Sequence, residues 1–241
     1  MAKIPKSPED IFDEFTRDYQ TVFGEDLVSV YLYGSGAKGE YVRKKSDINF
    51  LIVLSEEGIS DLAKAFGPVK KWQKRAVSVP LFLTEKYIRS SLDSFPIEFL
   101  NIKMYNKLVY GQEILASIEI KKNDLRLRCE EQVKGKLLHL REGFLKTLGG
   151  KRALEHLLAV TVPAFASLFA ALLTLKDIDA PENKNEILAR TADVFQLEVS
   201  VFQQVLRVRE KSVKLNKNDL IALTESYISE IRKLAIQVDQ M

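Results

Sequence analysis

Three residue types are scarce in this chain, which has one cysteine, two histidines and one tryptophan among 241 residues. The single cysteine, Cys129, excludes an internal disulfide and a cysteine-rich zinc site. With only two histidines, a metal centre built mainly from histidine is also not expected. Because no signal-peptide pattern opens the sequence, we expect a cytoplasmic protein.

The chain also lacks internal repeats, low-complexity segments and long linkers. Its length and its 46% hydrophobic content allow two domains of ordinary size, each with its own core. The formal net charge is +3, and the isoelectric point is about 8.7. This mildly basic balance is compatible with an anionic small ligand or with nucleic acid and requires neither.

One segment predicts a strand that ends in a glycine-containing turn. The string Val30-Tyr-Leu-Tyr-Gly34-Ser35 closes an apolar run over residues 27–33. Backbone N–H groups at Gly34 and the hydroxyl of Ser35 could hold phosphate oxygens in an anion-binding nest. A simple tight turn is the alternative interpretation.

Eleven residues after Ser35, the string Ser46-Asp47-Ile-Asn49 leads into a second predicted strand, residues 48–54. Strand side chains alternate between faces, so Asp47 and Asn49 at i and i+2 point the same way. We expect both to face back toward the turn at Gly34.

This pattern resembles the nucleotidyltransferase superfamily, which includes the aminoglycoside adenylyltransferases and small antitoxin-type transferases. Their signature is hydrophobic-Gly-Ser followed by Asp-hydrophobic-Asp/Glu on a strand. The resemblance implies bound Mg²⁺ and a nucleoside triphosphate such as ATP, with Asp47 and Asn49 at the catalytic, metal-binding positions. The chain departs from the signature at Asn49, which offers a carbonyl oxygen but no negative charge.

The same turn also matches a dinucleotide-binding fingerprint, because Gly34-Ser-Gly36-Ala-Lys-Gly39 fits G-x-G-x-x-G. That motif opens a helix that crosses over to a parallel strand. Only residues 40–46 separate Gly39 from the second strand, which is too few. We therefore reject it, leaving a chance glycine turn in an unrelated α/β domain as the other alternative.

Four cations surround the turn, namely Lys38, Arg43, Lys44 and Lys45. They could neutralise phosphate charge, and we name Lys38 and Lys45 with Gly34 and Ser35 as the nucleotide-binding residues. Solvated surface cations are the simpler interpretation of each one alone.

A third acidic residue should come from a neighbouring strand. The pattern around Glu98 predicts a strand over residues 97–102, and Glu98 is our candidate base for the proton of an acceptor hydroxyl. An exposed glutamate on an edge strand is equally compatible with the pattern.

The first domain is predicted to be α/β, over residues 1–116, with a small mixed sheet flanked by helices. Ser7-Pro-Glu-Asp predicts a helix start, and Gly24 predicts its end. Further predicted elements are a helix over 59–76 that is broken or re-entered at Gly67-Pro68, a strand over 77–83 and a short helix over 85–92.

An all-α domain is predicted over residues 124–241, after a linker at 117–123. Apolar residues at steps of three and four indicate a bundle of five amphipathic or buried helices. They are predicted over 124–148, 152–175, 184–195, 198–211 and 217–240.

Two features of this second domain have competing interpretations. Residues 157–175 contain no charge, which raises the question of a membrane span, but Pro163 and several hydroxyl residues favour a buried helix or a homodimer contact. Arg152 and His156 are similar to an Arg-to-His pair of helical ribonucleases, but the spacing is wrong for that motif, and at i and i+4 they can simply be neighbours.

The sequence therefore predicts a nucleotidyltransferase-like protein that moves a nucleoside monophosphate to a hydroxyl of a small molecule or protein. Because of Asn49, the rival interpretation is a catalytically inactive member that senses nucleotide or binds a protein. No nucleic acid or membrane partner is expected, and a homodimer is possible.

Overall fold

A computed structural model of the chain describes residues 4–161, 165–181 and 183–241. The chain forms two compact units that divide between Ile120 and Lys121. The first is α/β, and the described part of the second contains helices only. The predicted fold class is confirmed.

A four-stranded sheet of order β3-β2-β1-β4 forms the centre of the first unit. Its strands are β1 (Leu27–Tyr33), β2 (Asn49–Leu54), β3 (Leu81–Thr84) and β4 (Asn106–Gly111). Strands β2 and β4 pair antiparallel with β1, whereas β3 pairs parallel with β2. The sheet is mixed, and the antiparallel β1–β2 pair confirms that the glycine turn does not open a dinucleotide-binding crossover.

Short helices flank this sheet, and several single 3₁₀ turns connect them. The helices are α1 (Phe12–Phe23), α2 (Glu56–Ile59), α3 (Phe66–Gln73), α4 (Glu85–Ser90) and α5 (Pro96–Met104). The interruption predicted in the helix over 59–76 is confirmed, because this stretch is divided among the end of α2, a 3₁₀ turn at Leu62–Ala65, and α3. Its predicted place is wrong, since Gly67 and Pro68 lie in the first turn of α3.

The predicted start and end of the first helix are confirmed. The Ser7 hydroxyl accepts a hydrogen bond from the Glu9 N–H, and the Asp10 carboxylate accepts one from the Ser7 N–H. This capping box precedes the 3₁₀ turn Pro8–Ile11 that leads into α1. Gly24 ends α1 with a positive φ of 55°.

Both faces of the sheet are buried, each against its own helices. On one face, α1 and α3 cover alternate residues of β1 and β2, and these buried positions are Val30, Leu32, Ile48, Phe50, Ile52 and Leu54. On the other, α4 and α5 cover the residues between them, which are Tyr31, Leu51 and Val53. The first unit is therefore a three-layer α/β/α arrangement.

The strand predicted over residues 97–102 is wrong, because this stretch lies in α5. Pro96 occupies the first helical position, where its missing N–H is tolerated. Ile97, Phe99, Leu100 and Ile102 are all buried, and the alternation of Ile97, Glu98 and Phe99 resembles that of a strand, so the helical period is weak. Strand β4 follows immediately and was not predicted.

The strand predicted over residues 77–83 is shifted in the structure. Val77 forms only an isolated parallel bridge with Ile48, and β3 begins at Leu81. Pro80 precedes β3 and cannot donate a backbone hydrogen bond, which explains the late start.

Helices of the second unit pack into a bundle. Within the described residues they are α6 (Lys122–Lys146), α7 (Lys151–Thr161), α8 (Ala166–Leu175), α9 (Lys184–Val194), α10 (Val199–Arg209) and α11 (Lys217–Asp239). Helix α6 packs on α8 and α11, α7 on α10, and α8 on α9. The apolar stripe predicted along α6 runs to Phe144 and Leu148, and its first five residues are confirmed as buried: Leu125, Cys129, Val133, Leu137 and Leu140. It is wrong at its end, because Leu148 lies beyond α6 and is exposed.

The helix predicted over residues 152–175 corresponds to α7 and α8 in the described residues, and residues 162–164 lie outside them. Pro163 lies outside the described residues. The predicted burial of the uncharged stretch is confirmed in α8, where Leu168 and Leu172 are fully buried. No helix in the described part of the chain has both the length and the apolar character needed to cross a membrane.

We expect Gly111→Ala to detach β4 from β1 and to lower the free energy of unfolding by several kcal/mol. A Cβ atom at Gly111 would lie 1.9 Å from the Val28 carbonyl oxygen, and φ is +85°. Denaturation followed by fluorescence measures this, because the only tryptophan, Trp72, is buried in this unit. Gly24→Ala is the matched control: φ is +55° with open space around it, and the expected loss is only about 1–2 kcal/mol. Equal losses of unfolding free energy in the two variants would contradict a clash between the added methyl group and the Val28 carbonyl.

Candidate functional site

The candidate site lies at the end of β1, where Gly34–Gly36 forms a 3₁₀ turn. Gly34 has a φ of +73°, which favours glycine. Its N–H donates to the carbonyl oxygen of Tyr105 (3.2 Å), and its own carbonyl accepts from the Lys38 N–H (3.1 Å). The turn is therefore anchored both to the residue that follows α5 and to the loop that follows β1.

Strand pairing brings Asn49 next to this turn. Asn49 is paired with Tyr33, the last residue of β1, in the antiparallel register. A Cβ atom at Gly34 would lie 3.5 Å from the Asn49 Nδ2 atom. The Asn49 amide is half-buried and has no hydrogen-bond partner among the described residues. Its polar group is therefore available to a ligand held at the turn.

Asp47 lies two residues before Asn49, just outside β2, and its side chain is exposed. Ile48, between them, is buried on the α1 face of the sheet. Burial raises the pKa of Tyr41. The positive charge of Arg43 opposes this rise, and the negative charges of Asp10 and Asp47 add to it. Alternation puts Asp47 on the Asn49 side, and its approach to the Ser35 loop stays a prediction.

A tight turn over residues 42–46 directly precedes Asp47 and fixes its position before β2. The Ser46 hydroxyl accepts a hydrogen bond from the Val42 N–H (3.1 Å), and the Ser46 N–H donates to the Val42 carbonyl (2.8 Å). Lys44 has a positive φ of 67°. Lys45 is exposed in this turn, and no contact in the described part of the chain joins its side chain to Gly34 or Asn49.

Lys38 lies over the aromatic ring of Tyr105, with its Nζ atom 3.5 Å from the ring centroid. This cation–π contact holds a positive charge beside the residue whose carbonyl binds the Gly34 N–H. Tyr105 is a residue that the sequence analysis missed. No local signal marks it, because its place depends on where α5 ends.

The segment before α1 supports the turn from the other side. Pro8 lies 3.4 Å from where a Cβ atom at Gly36 would be. Tyr41 donates its hydroxyl hydrogen to the Pro5 carbonyl (3.2 Å), and the Arg43 Nε–H donates to the Ile4 carbonyl (3.2 Å). The Arg43 Nε–H therefore stabilises the loop and is not available to a ligand.

Glu98 is exposed in the first turn of α5, and it does not lie on a strand of the sheet. With a rise of about 1.5 Å per residue, it is roughly 9 Å along the helix from Met104, the end next to the Gly34 turn. The role of Glu98 as a base stays a prediction that strand geometry no longer supports.

The oxygen donors of Asp47 and Asn49 fit Mg²⁺, which prefers hard oxygen ligands. No group of three or more His, Cys, Asp or Glu side chains is placed to hold a metal ion within residues 4–161, 165–181 and 183–241. Mg²⁺ commonly takes one or two protein oxygens and completes its coordination with phosphate and water. A metal here would have one carboxylate, one amide oxygen and ligand oxygens.

No protein-family model matches the chain, and no curated protein matches it. Among solved structures, it is similar to a spectinomycin adenyltransferase, AAD(9), from Enterococcus faecialis, crystallised with ATP and spectinomycin. The TM-score is 0.53 at 12% identity, over 94% of this chain and 100% of that one. The chain therefore has a nucleotidyltransferase-like fold with a helical second half, as the strand–turn–strand motif predicted.

We expect Gly34→Ala to weaken nucleotide binding measured by calorimetry with Mg²⁺, because a methyl group there would point into the space between the turn and Asn49. Gly39→Ala is the matched control, since φ is also positive (+75°) but nothing lies within 4 Å of the added methyl. Both variants should lose similar stability, of about 1–2 kcal/mol. Equal loss of affinity in the two would contradict a specific role of the Gly34 space.

Proposed function

We propose that this protein binds a magnesium nucleoside triphosphate at the Gly34 turn and transfers the nucleoside monophosphate to a hydroxyl group. The observation that supports this best is the approach of the Asn49 amide to Gly34, in the register set by β1 and β2. ATP is the first nucleotide to test, because the structurally similar adenyltransferase was crystallised with it.

The residues of the turn would act mainly in binding. The Ser35 hydroxyl and the backbone N–H groups of Ser35 and Gly36 would donate to phosphate oxygens, as in other backbone anion nests. The Gly34 N–H is already bonded to the Tyr105 carbonyl and would not donate to the ligand. Lys38 supplies a positive charge that its contact with Tyr105 holds near the turn. Lys45 would add a mobile charge from the loop that leads to Asp47.

In the transfer, the acceptor oxygen attacks the α-phosphorus and forms a new P–O bond. The bond between the α-phosphorus and the bridging oxygen breaks, and pyrophosphate leaves. The proton of the acceptor hydroxyl leaves to a base, for which Glu98 is the predicted group. Bound Mg²⁺ would neutralise the charge that develops on the phosphate oxygens. Asp47 and Asn49 would hold that ion, and they would also orient the phosphate chain against the turn.

The alternative is a protein that binds nucleotide without transferring it. It is favoured by Asn49, because the amide lacks the negative charge that a second carboxylate would bring to a site for two divalent cations. The two proposals share the nucleotide site and differ only in turnover.

We expect the purified chain to release pyrophosphate from ATP when Mg²⁺ or Mn²⁺ and a panel of hydroxyl acceptors are present. Asp47→Asn should lower this rate by about 100-fold or more, since it removes the only carboxylate of the predicted metal pair. Asp93→Asn is the matched control, because this exposed aspartate lies in the turn before α5. It should leave the rate unchanged.

Nucleotide binding by calorimetry without pyrophosphate release would favour the non-transferring alternative. Absence of both binding and release, with Mg²⁺ or Mn²⁺ present, would contradict both proposals.

We expect Asn49→Asp to strengthen metal-dependent ATP binding by about 1–3 kcal/mol, a typical scale for a charged ligand group. The quantity to measure is the ratio of ATP affinities with Mg²⁺ and with a chelator. Asp47→Asn in the same background should remove the gain. If the parent protein already turns over as fast as Asn49→Asp, then Asn49 is a competent ligand and the inactive alternative is wrong.

A further inference from the structure

A cavity of about 470 Å³ lies wholly within the helical unit, between α7, α10 and the segment that follows α10. Its floor is apolar and includes Val208, Leu215 and Leu220. This volume is in the range of small-molecule sites. The cavity is independent of the nucleotide site proposed above, because every residue that lines it belongs to the second unit.

Positive charge dominates the rim of this cavity. Four cations line it against a single carboxylate, together with one histidine, and these residues are Arg152, Arg209, Lys211, Lys214, Glu155 and His156. None of the four cations has an ion-pair partner among the described residues. Four cations against one carboxylate leave the rim with a net positive charge, so an anion bound between them would reduce their mutual repulsion.

The start of α7 adds to this positive potential. Its first turn carries Lys151 and Arg152 and no acidic residue. The positive end of a helix dipole favours acids there, so cations in this position are locally unfavourable. The arrangement is explained if the rim of the cavity binds a negative ligand.

We propose that this cavity binds a small organic phosphate, with the phosphate on the cationic rim and the apolar part of the molecule on the floor. Arginine guanidinium groups bind phosphate oxygens in a bidentate manner, and Arg152 and Arg209 enter from two different helices. A concave site with an apolar floor fits a compact molecule better than the extended backbone of a nucleic acid. The ribonuclease interpretation of Arg152 and His156 is not needed, because both residues have a place in this binding site.

The test uses the full chain and phenyl phosphate, which combines a phosphate group with an apolar ring. The chain has only two histidines, so their ring resonances can be followed separately by NMR. His156 lines the cavity, whereas His139, on α6, does not, although both histidines are exposed. We expect a saturable shift of His156 with no shift of His139, and weaker binding of both inorganic phosphate and phenol.

Variants identify the groups that bind. Arg152→Ala should weaken phenyl phosphate by about tenfold or more, the scale of a lost charged hydrogen bond. Arg152→Lys should fall in between, because it keeps the charge and loses the bidentate contact. Arg207→Ala is the matched control: it removes a guanidinium group from α10, outside the cavity lining, and should change the affinity by less than about twofold. Glu155→Gln should strengthen binding.

Three outcomes would overturn the proposal: equal effects of Arg207→Ala and Arg152→Ala, parallel shifts of both histidines, or no saturation. Tighter binding of a single-stranded oligonucleotide at His156 would also overturn it, in favour of a nucleic-acid surface. Gly34→Ala separates this site from the nucleotide site. It should leave the His156 titration unchanged whether or not ATP binds at the turn.

Discussion

The antiparallel pairing of β1 with β2 is the constraint on which the first unit depends. Its register is fixed because both faces of β2 are buried, so that Phe50 and Ile52 contact the α1 side while Leu51 and Val53 contact the α5 side. A slip by one residue would exchange these two sets and move Asn49 to the other face. The hydrophobic core therefore determines which polar group lies beside the Gly34 turn.

Tertiary contacts then make the turn rigid. The Gly34 N–H bonds to the residue after α5, and Pro8 packs against Gly36 from the segment before α1. An anion-binding turn works best when its donors are aligned before the ligand arrives, because little ordering is then needed on binding. Elements distant in sequence thus contribute to the site without contacting a ligand.

The strand–turn–strand motif could be predicted from sequence because its signals are local: an apolar run, a glycine and alternating polar positions. Strand β4 could not, since Leu108 is partly exposed and the strand exists through its pairing with β1. The sequence of α5 shows only a weak helical period, because most of its residues are apolar and buried. For that reason Glu98 was predicted to lie on a strand. The contact of Lys38 with Tyr105 could not be predicted, because the position of Tyr105 depends on where α5 ends and no local sequence pattern marks it.

Under the proposed function, Asn49 would separate nucleotide binding from nucleotidyl transfer. Backbone donors at the turn would attract phosphate whatever the charge of residue 49. A second carboxylate would repel a metal-free triphosphate and attract a divalent cation, so its effect on binding has opposite signs with and without metal. With a neutral amide, the site should depend less on metal for affinity and more on it for turnover, where charge develops on the transferred group. Metal dependence of binding and of turnover are therefore distinct properties of this site.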